Sequence, residues 1–164
     1  MANALYNSKV PRFLKVFANS PLFGRPKKAE FRDVPLYLIL RPFQLVSGKV
    51  ELLHLPADNL VSLNNDYVDK IFHCNCYYFW PSLLAGSTEL YRVLKPGGPM
   101  ITTLSLDTVK LLSKNCFVPS RNTDPVRYMG ALECVGFKDV KIEYHTDSEF
   151  KRDYQCITAT KPAL

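Results

Sequence analysis

Several things are scarce in this 164-residue sequence, and each scarcity narrows the reading. No apolar run reaches the roughly 18–20 residues needed to span a bilayer. The longest candidate, Val34 to Leu40, stops at Arg41-Pro42. The N-terminus lacks the 7–15-residue apolar core of a secretory signal. Cysteine is sparse and odd in number, five residues scattered among apolar neighbours. That pattern excludes a disulfide scaffold and reads as free thiols of a reducing, intracellular compartment, cytoplasmic or mitochondrial. Cys74-Asn75-Cys76 beside His73 has the wrong spacing for a common zinc or thioredoxin motif, so no metal site is expected. Glycine is limited to seven residues, none of them in a G-x-G. Acid is nearly missing from the first third: residues 1–50 hold nine Lys/Arg against two Asp/Glu, whereas residues 51–164 are close to neutral. The net charge of +6 therefore describes two unlike segments, 1–48 and 49–164.

What is present is an ordinary globular composition, 47% hydrophobic and 22% charged, at a length suited to one domain with its own core. Val10, Phe13, Leu14 and Phe17 fall at helical spacing and predict a short amphipathic helix near the start. With Lys9, Arg12 and Lys15 around it, such a helix either packs its Phe face on the domain or contacts a membrane surface through residues 5–17. The packing alternative is preferred. The loop from Ser20 to Pro35 carries Arg25, Lys27 and Lys28 without interleaved aromatics, so no nucleic-acid partner is expected.

Beyond residue 49 the pattern sharpens. Val50 to His54 reads as a strand, followed by a polar loop to Asp66. Val68 to Cys74 reads as a second strand running into Tyr77-Tyr78-Phe79-Trp80. Ser82 to Leu94 is helical and ends at Lys95-Pro96-Gly97-Gly98, where Gly supplies a left-handed cap and Pro blocks continuation. Met100 to Leu104 is a strand. Asp107 is expected to cap a helix to Lys114. Asp124 caps another that starts at Pro125 and ends at Gly136. Val140 to Tyr144 and Tyr154 to Thr160 are the last strands. Strands alternating with helices imply a mostly parallel sheet with right-handed crossovers, and the closing pair implies an antiparallel insertion.

Four of these segments, in order and spacing, resemble class I S-adenosylmethionine-dependent methyltransferases of the type 11, UbiE-like group. They are Val50-Glu51-Leu52-Leu53-His54-Leu55-Pro56-Ala57-Asp58-Asn59-Leu60, Asp69 through Trp80, Glu89-Leu90-Tyr91-Arg92-Val93-Leu94-Lys95-Pro96-Gly97-Gly98, and Gly136-Phe137 before Val140. The resemblance spans about residues 48–161. It implies a Rossmann-like α/β fold with an antiparallel last strand, incomplete at its N-terminal half. It also implies S-adenosylmethionine as cofactor and a small-molecule methyl acceptor. Ala57, Asp58 and Asn75 would hold the cofactor at the carboxyl ends of the strands, where open α/β sheets bind ligands. Tyr77, Tyr78 and Trp80 would wall the acceptor, or else pack in the core. His73 would be a general base, or more readily a structural histidine. Methyl transfer from a sulfonium is an in-line displacement that chiefly needs positioning and exclusion of water, so no acid–base pair is required.

The glycine-rich turn and the ribose-binding acid of that family have no counterpart in residues 1–49. Two further readings follow: a truncated isoform or degenerate, non-catalytic relative, and a membrane-surface or nucleic-acid module acting through the basic start. Without the family's first two strands, the strand at 68–74 is expected to be left with an unpaired edge.

Overall fold

The computed structural model describes residues 13–16, 55–115, 120–148 and 153–163. Five strands form one mixed sheet: β1 (Phe13–Val16), β2 (Lys70–Cys74), β3 (Pro99–Leu104), β4 (Lys138–Thr146) and β5 (Asp153–Thr160). Their spatial order is β1-β2-β3-β5-β4. β1, β2 and β3 run parallel, and β5 enters antiparallel between β3 and β4. This is the Rossmann-like sheet expected from the resemblance, with the antiparallel insertion in place.

The register explains the core. Ile71, Met100 and Ala159 lie in one row across three strands, and His73, Thr102 and Ile157 in the next. All six are buried on a single face, while Lys70, Cys74 and Ile101 alternate outward. This is the period-2 pattern of a sheet with one packed face. That face is covered by α1 (Leu83–Val93) and α3 (Pro125–Val135), while α2 (Leu106–Lys114) follows β3. Leu90 and Val93 of α1 and Tyr128 and Leu132 of α3 bury their side chains there. Gly86 lets α1 close on Trp80: a Cβ at that position would lie 2.5 Å from the indole.

The lower edge of the sheet is locked by the turn after α1. Gly97 has φ of 75°, and a Cβ on Gly98 would lie 2.8 Å and 2.9 Å from the carbonyl oxygens of Lys95 and Asp69. Gly97 N donates to Lys161 O, and Lys161 N donates to Gly98 O. The Lys161 ammonium, 9% exposed as a residue, donates to Asp66 Oδ1 at 2.7 Å and to the carbonyls of Tyr91 and Leu94 at 2.9 and 2.7 Å. A cation at the carbonyl end of α1 satisfies groups the helix leaves open and complements its dipole.

Two expectations are corrected. Phe13–Val16 is a strand, not part of an amphipathic helix, and it pairs with β2 from Phe13↔Lys70 to Val16↔His73. The edge of β2 is therefore covered by the basic first third, and the membrane-surface reading of residues 5–17 loses the helix on which it rested. The cap of α2 is Ser105, whose Oγ accepts from Thr108 N, rather than Asp107. The other helix limits match closely: Ser82 caps α1, and Asp124, Pro125 and Gly136 bound α3. The expected strand at 50–54 and the apolar run at 34–40 lie outside the described residues. Among the described residues, no helix is long and apolar enough to cross a membrane.

Candidate functional site at the carboxyl ends of the strands

Parallel strands β1, β2 and β3 all end at the same rim, and the residues just past them determine what the rim can do. Asn75 leaves β2 with φ of 48°, a left-handed conformation that Asn tolerates better than most residues. Its N–H donates to Thr103 O at 2.9 Å, and its Oδ1 accepts from Ser105 N at 3.1 Å. Next to it, Gln155 Oε1 accepts from Leu106 N at 2.9 Å. Two side chains from flanking strands thus hold the first amides of α2, and the rim is rigid at β3. The Asn75 side-chain NH2 donates to no described residue.

Ala57 and Asp58 sit in the loop that runs from residue 55 toward β2. Ala57 packs against the core, and Asp58 is half-buried. The loop is fixed from below. Leu60 N donates to Glu89 Oε2 at 2.7 Å, while Arg92 donates to Leu60 O and Leu63 O at 3.0 and 2.8 Å. Arg92 also forks onto Glu89, which holds that carboxyl below its usual range. The Asp58 carboxylate takes no part in this network and meets no hydrogen-bond or ionic partner among the described residues.

The aromatic run after β2 folds back as a 3-10 turn over Tyr77–Phe79. Tyr77, Tyr78 and Trp80 are all buried, at 0%, 1% and 4% exposure. Tyr77 stacks on Tyr128 with ring centroids 4.3 Å apart and 7° between planes. Trp80 meets Tyr128 edge-on at 5.8 Å and His73 at 5.4 Å. The three expected acceptor-wall residues therefore sit in the aromatic core directly beneath the rim. Two of them carry an unanswered polar atom: Tyr77 Oη and Trp80 Nε1 are buried with no hydrogen-bond partner among the described residues, as is Ser87 Oγ. Such atoms typically cost about 1–3 kcal/mol each when left unmade.

His73 stands at the centre of a polar cluster that residue spacing alone did not reveal. Its Nε2 lies 2.7 Å from both Tyr128 Oη and Thr102 Oγ1, and its Nδ1 lies 3.1 Å from Cys76 Sγ. Both ring nitrogens are thus engaged, with one protonated and the other accepting in the neutral ring, whichever tautomer is present. Burial pushes the imidazole down to about 3, so it is neutral at physiological pH. The Cys76 thiol, raised first by burial and then by Cys74, stays protonated. With both ring nitrogens engaged and 0% exposure, His73 cannot serve an acceptor as a general base. The geometry supports its structural role. Cys74, by contrast, is exposed. Among the described residues no three His, Cys, Asp or Glu side chains gather as a metal site.

Comparison with known proteins places the fold. No protein-family model matches the chain. A Bacillus subtilis (strain 168) protein named as an uncharacterized methyltransferase, YdaC, is 29% identical over 122 residues. That match covers 73% of this chain and 58% of YdaC, so the chain spans little more than half the length of the curated relative it matches. Among solved structures, a SAM-dependent methyltransferase from Archaeoglobus fulgidus superimposes with a TM-score of 0.54 at 19% identity, over 73% of this chain and 71% of its own. One from Thermotoga maritima gives 0.52 at 19% identity, over 74% and 70%. A sarcosine dimethylglycine methyltransferase candidate from Galdieria sulphuraria gives 0.57 at 12% identity, over 79% and 67%. The chain has the Rossmann-like fold of these methyltransferases.

Proposed function

We propose that this chain belongs to an S-adenosylmethionine-dependent methyltransferase acting on a small-molecule acceptor, with the cofactor held at the carboxyl ends of β1 and β2. One observation carries the reading: a half-buried Asp58 carboxylate, unpartnered among the described residues, in the loop where the family resemblance puts the adenine contact. A carboxylate shielded from water gains from an N–H donor of a ligand, so the described residues fit the adenine end of the cofactor. Asp58 would accept that hydrogen bond. Ala57 would present backbone beside the ring, and the Asn75 NH2 would donate from the end of β2. The cofactor, when bound, supplies an electrophilic methyl group on a sulfonium. Tyr77, Tyr78 and Trp80, buried in the core beneath the rim, would back the acceptor side from behind and keep water out rather than touch the acceptor.

The test is calorimetric titration with S-adenosylhomocysteine. Saturable binding is expected, and a ligand at 100 times its dissociation constant should raise stability by about 2.7 kcal/mol. Asp58→Ala should weaken binding about tenfold, the loss of one charge-assisted hydrogen bond, with an unchanged circular dichroism spectrum. No heat and no thermal shift at any concentration would sink the reading.

One sequence observation favours a second, non-catalytic version of it. Phe17-Ala18-Asn19-Ser20 follows β1, and no glycine occurs there before Gly24. A backbone that must approach a ligand closely after the first strand normally uses glycine. Binding of S-adenosylhomocysteine without methyl transfer to any acceptor would favour that version.

A further inference from the structure

A groove lies between the start of α1 and the outer face of α3, and neither Asp58 nor Asn75 lines it. The groove is about 490 Å³, within the range of small-molecule sites. Its apolar wall is Leu83 and Leu84 from α1, with Ala131 opposite on α3. Leu84 is 53% exposed, a large side chain facing the open groove rather than the core. Arg121 and Arg127 stand on the other wall. Neither guanidinium meets an acidic or other hydrogen-bonding partner among the described residues. Among the described residues no Asp or Glu lines the groove, and the first turn of α1 contains none.

The two walls are held at a fixed spacing. Asn122, 5% exposed, donates from Nδ2 to Trp80 O at 2.8 Å and ties the turn at Ser120–Asn122 to the residue before Pro81. Gly130 leaves the floor open, with nothing within 4 Å of where its Cβ would be. A fixed groove with an aliphatic side and two unpaired guanidinium groups is complementary to a small amphiphilic anion.

We infer that the α1–α3 groove is a binding site for a small anion, carboxylate or phosphate, carried on a short aliphatic chain. The anion takes Arg121 and Arg127, and the chain lies along Leu83 and Leu84. The site concerns binding and stands whether or not the cofactor reading does.

The test is titration of the full-length chain with hexyl phosphate, hexanoate, inorganic phosphate and hexanol, followed by calorimetry at two salt concentrations. Hexyl phosphate or hexanoate is expected to bind, more weakly at higher salt, with inorganic phosphate at least tenfold weaker and hexanol undetectable. The stronger of the two organic anions identifies the head group. Arg121→Glu with Arg127→Glu should weaken binding more than tenfold. Gly130→Leu, which keeps both charges and fills the groove, should abolish it. Both variants alter exposed positions, and circular dichroism checks their fold. Three results would overturn the site: no binding of either organic anion at millimolar concentration, binding unchanged in both variants, or equal binding of hexanol.

Discussion

His73 shows how the neighbours of one side chain decide between two uses, here for the structural one. It lies at a strand end, where a general base is plausible, yet the register sets Thr102 beside it and α3 lays Tyr128 over it. The consequence is a pH dependence with a definite sign. The folded protein keeps the ring neutral down to about pH 3, whereas an unfolded histidine takes up a proton near its ordinary value of 6.5. The contribution to stability is complete above pH 6.5 and is lost as pH falls from 6.5 toward 3. Each pH unit within that window removes about 1.4 kcal/mol. Urea unfolding between pH 6.5 and 5, above most carboxylate titration, should show that slope. In His73→Gln, which does not titrate, the slope should vanish even though total stability is lower. An equal slope in both proteins would place the titrating group elsewhere.

At the scale of elements, local backbone demands were legible and long-range ones were not. Lys95-Pro96-Gly97-Gly98 could be read as a stop because left-handed φ and a backbone near-collision both require glycine, and the structure has both. Gly98→Ala should destabilise by about 1–3 kcal/mol, since two of its new contacts are with carbonyl oxygens that cannot swing aside. Gly130→Ala, in an exposed helix interior with free space, should stabilise by about 0.5–1 kcal/mol. Urea denaturation of the two variants measures both, and equal signs would refute the steric account. The start of α2 was misread for the opposite reason. Ser105 and Asp107 are both competent caps, and the choice is made by Asn75 and Gln155, far away in sequence, which take the amides of Ser105 and Leu106. The candidate site was legible to the same degree. Its loops and aromatics could be named from the sequence, but the enclosure of Tyr77 and Trp80 by Tyr128 depends on packing between elements separated by some fifty residues.

For the whole molecule, the two unlike charge segments meet in one sheet. The basic first third contributes β1 to the same sheet as the near-neutral remainder. Helical spacing at Phe13, Leu14 and Phe17 was outweighed by what β2 offered, a row of backbone donors and acceptors that only a strand can satisfy. A chain beginning at residue 17 should therefore expose the β2 edge and self-associate. Light scattering on the purified fragment tests this; a monodisperse monomer would mean that β1 is dispensable. The opposite edge, β4, guards itself with Lys138, Asp139, Lys141 and Glu143 and a register irregularity between Lys138 and Lys141.

The pairing of β1 also sets an order of events in time. Phe13 faces Lys70, a partner about 57 positions later in the chain, whereas β4 and β5 are joined by a short connection. Contacts between sequence neighbours close quickly, and distant parallel pairs close slowly because the intervening chain must first lose its freedom. The β4–β5 pair, added to β3, is thus the expected early nucleus, with β1 docking last. On a ribosome the order of appearance is reversed: β1 emerges first and waits unpaired until β2 has been made. The newly made chain therefore carries an unsatisfied strand for the interval between the synthesis of β1 and that of β2, the state in which holding chaperones would have most to act on.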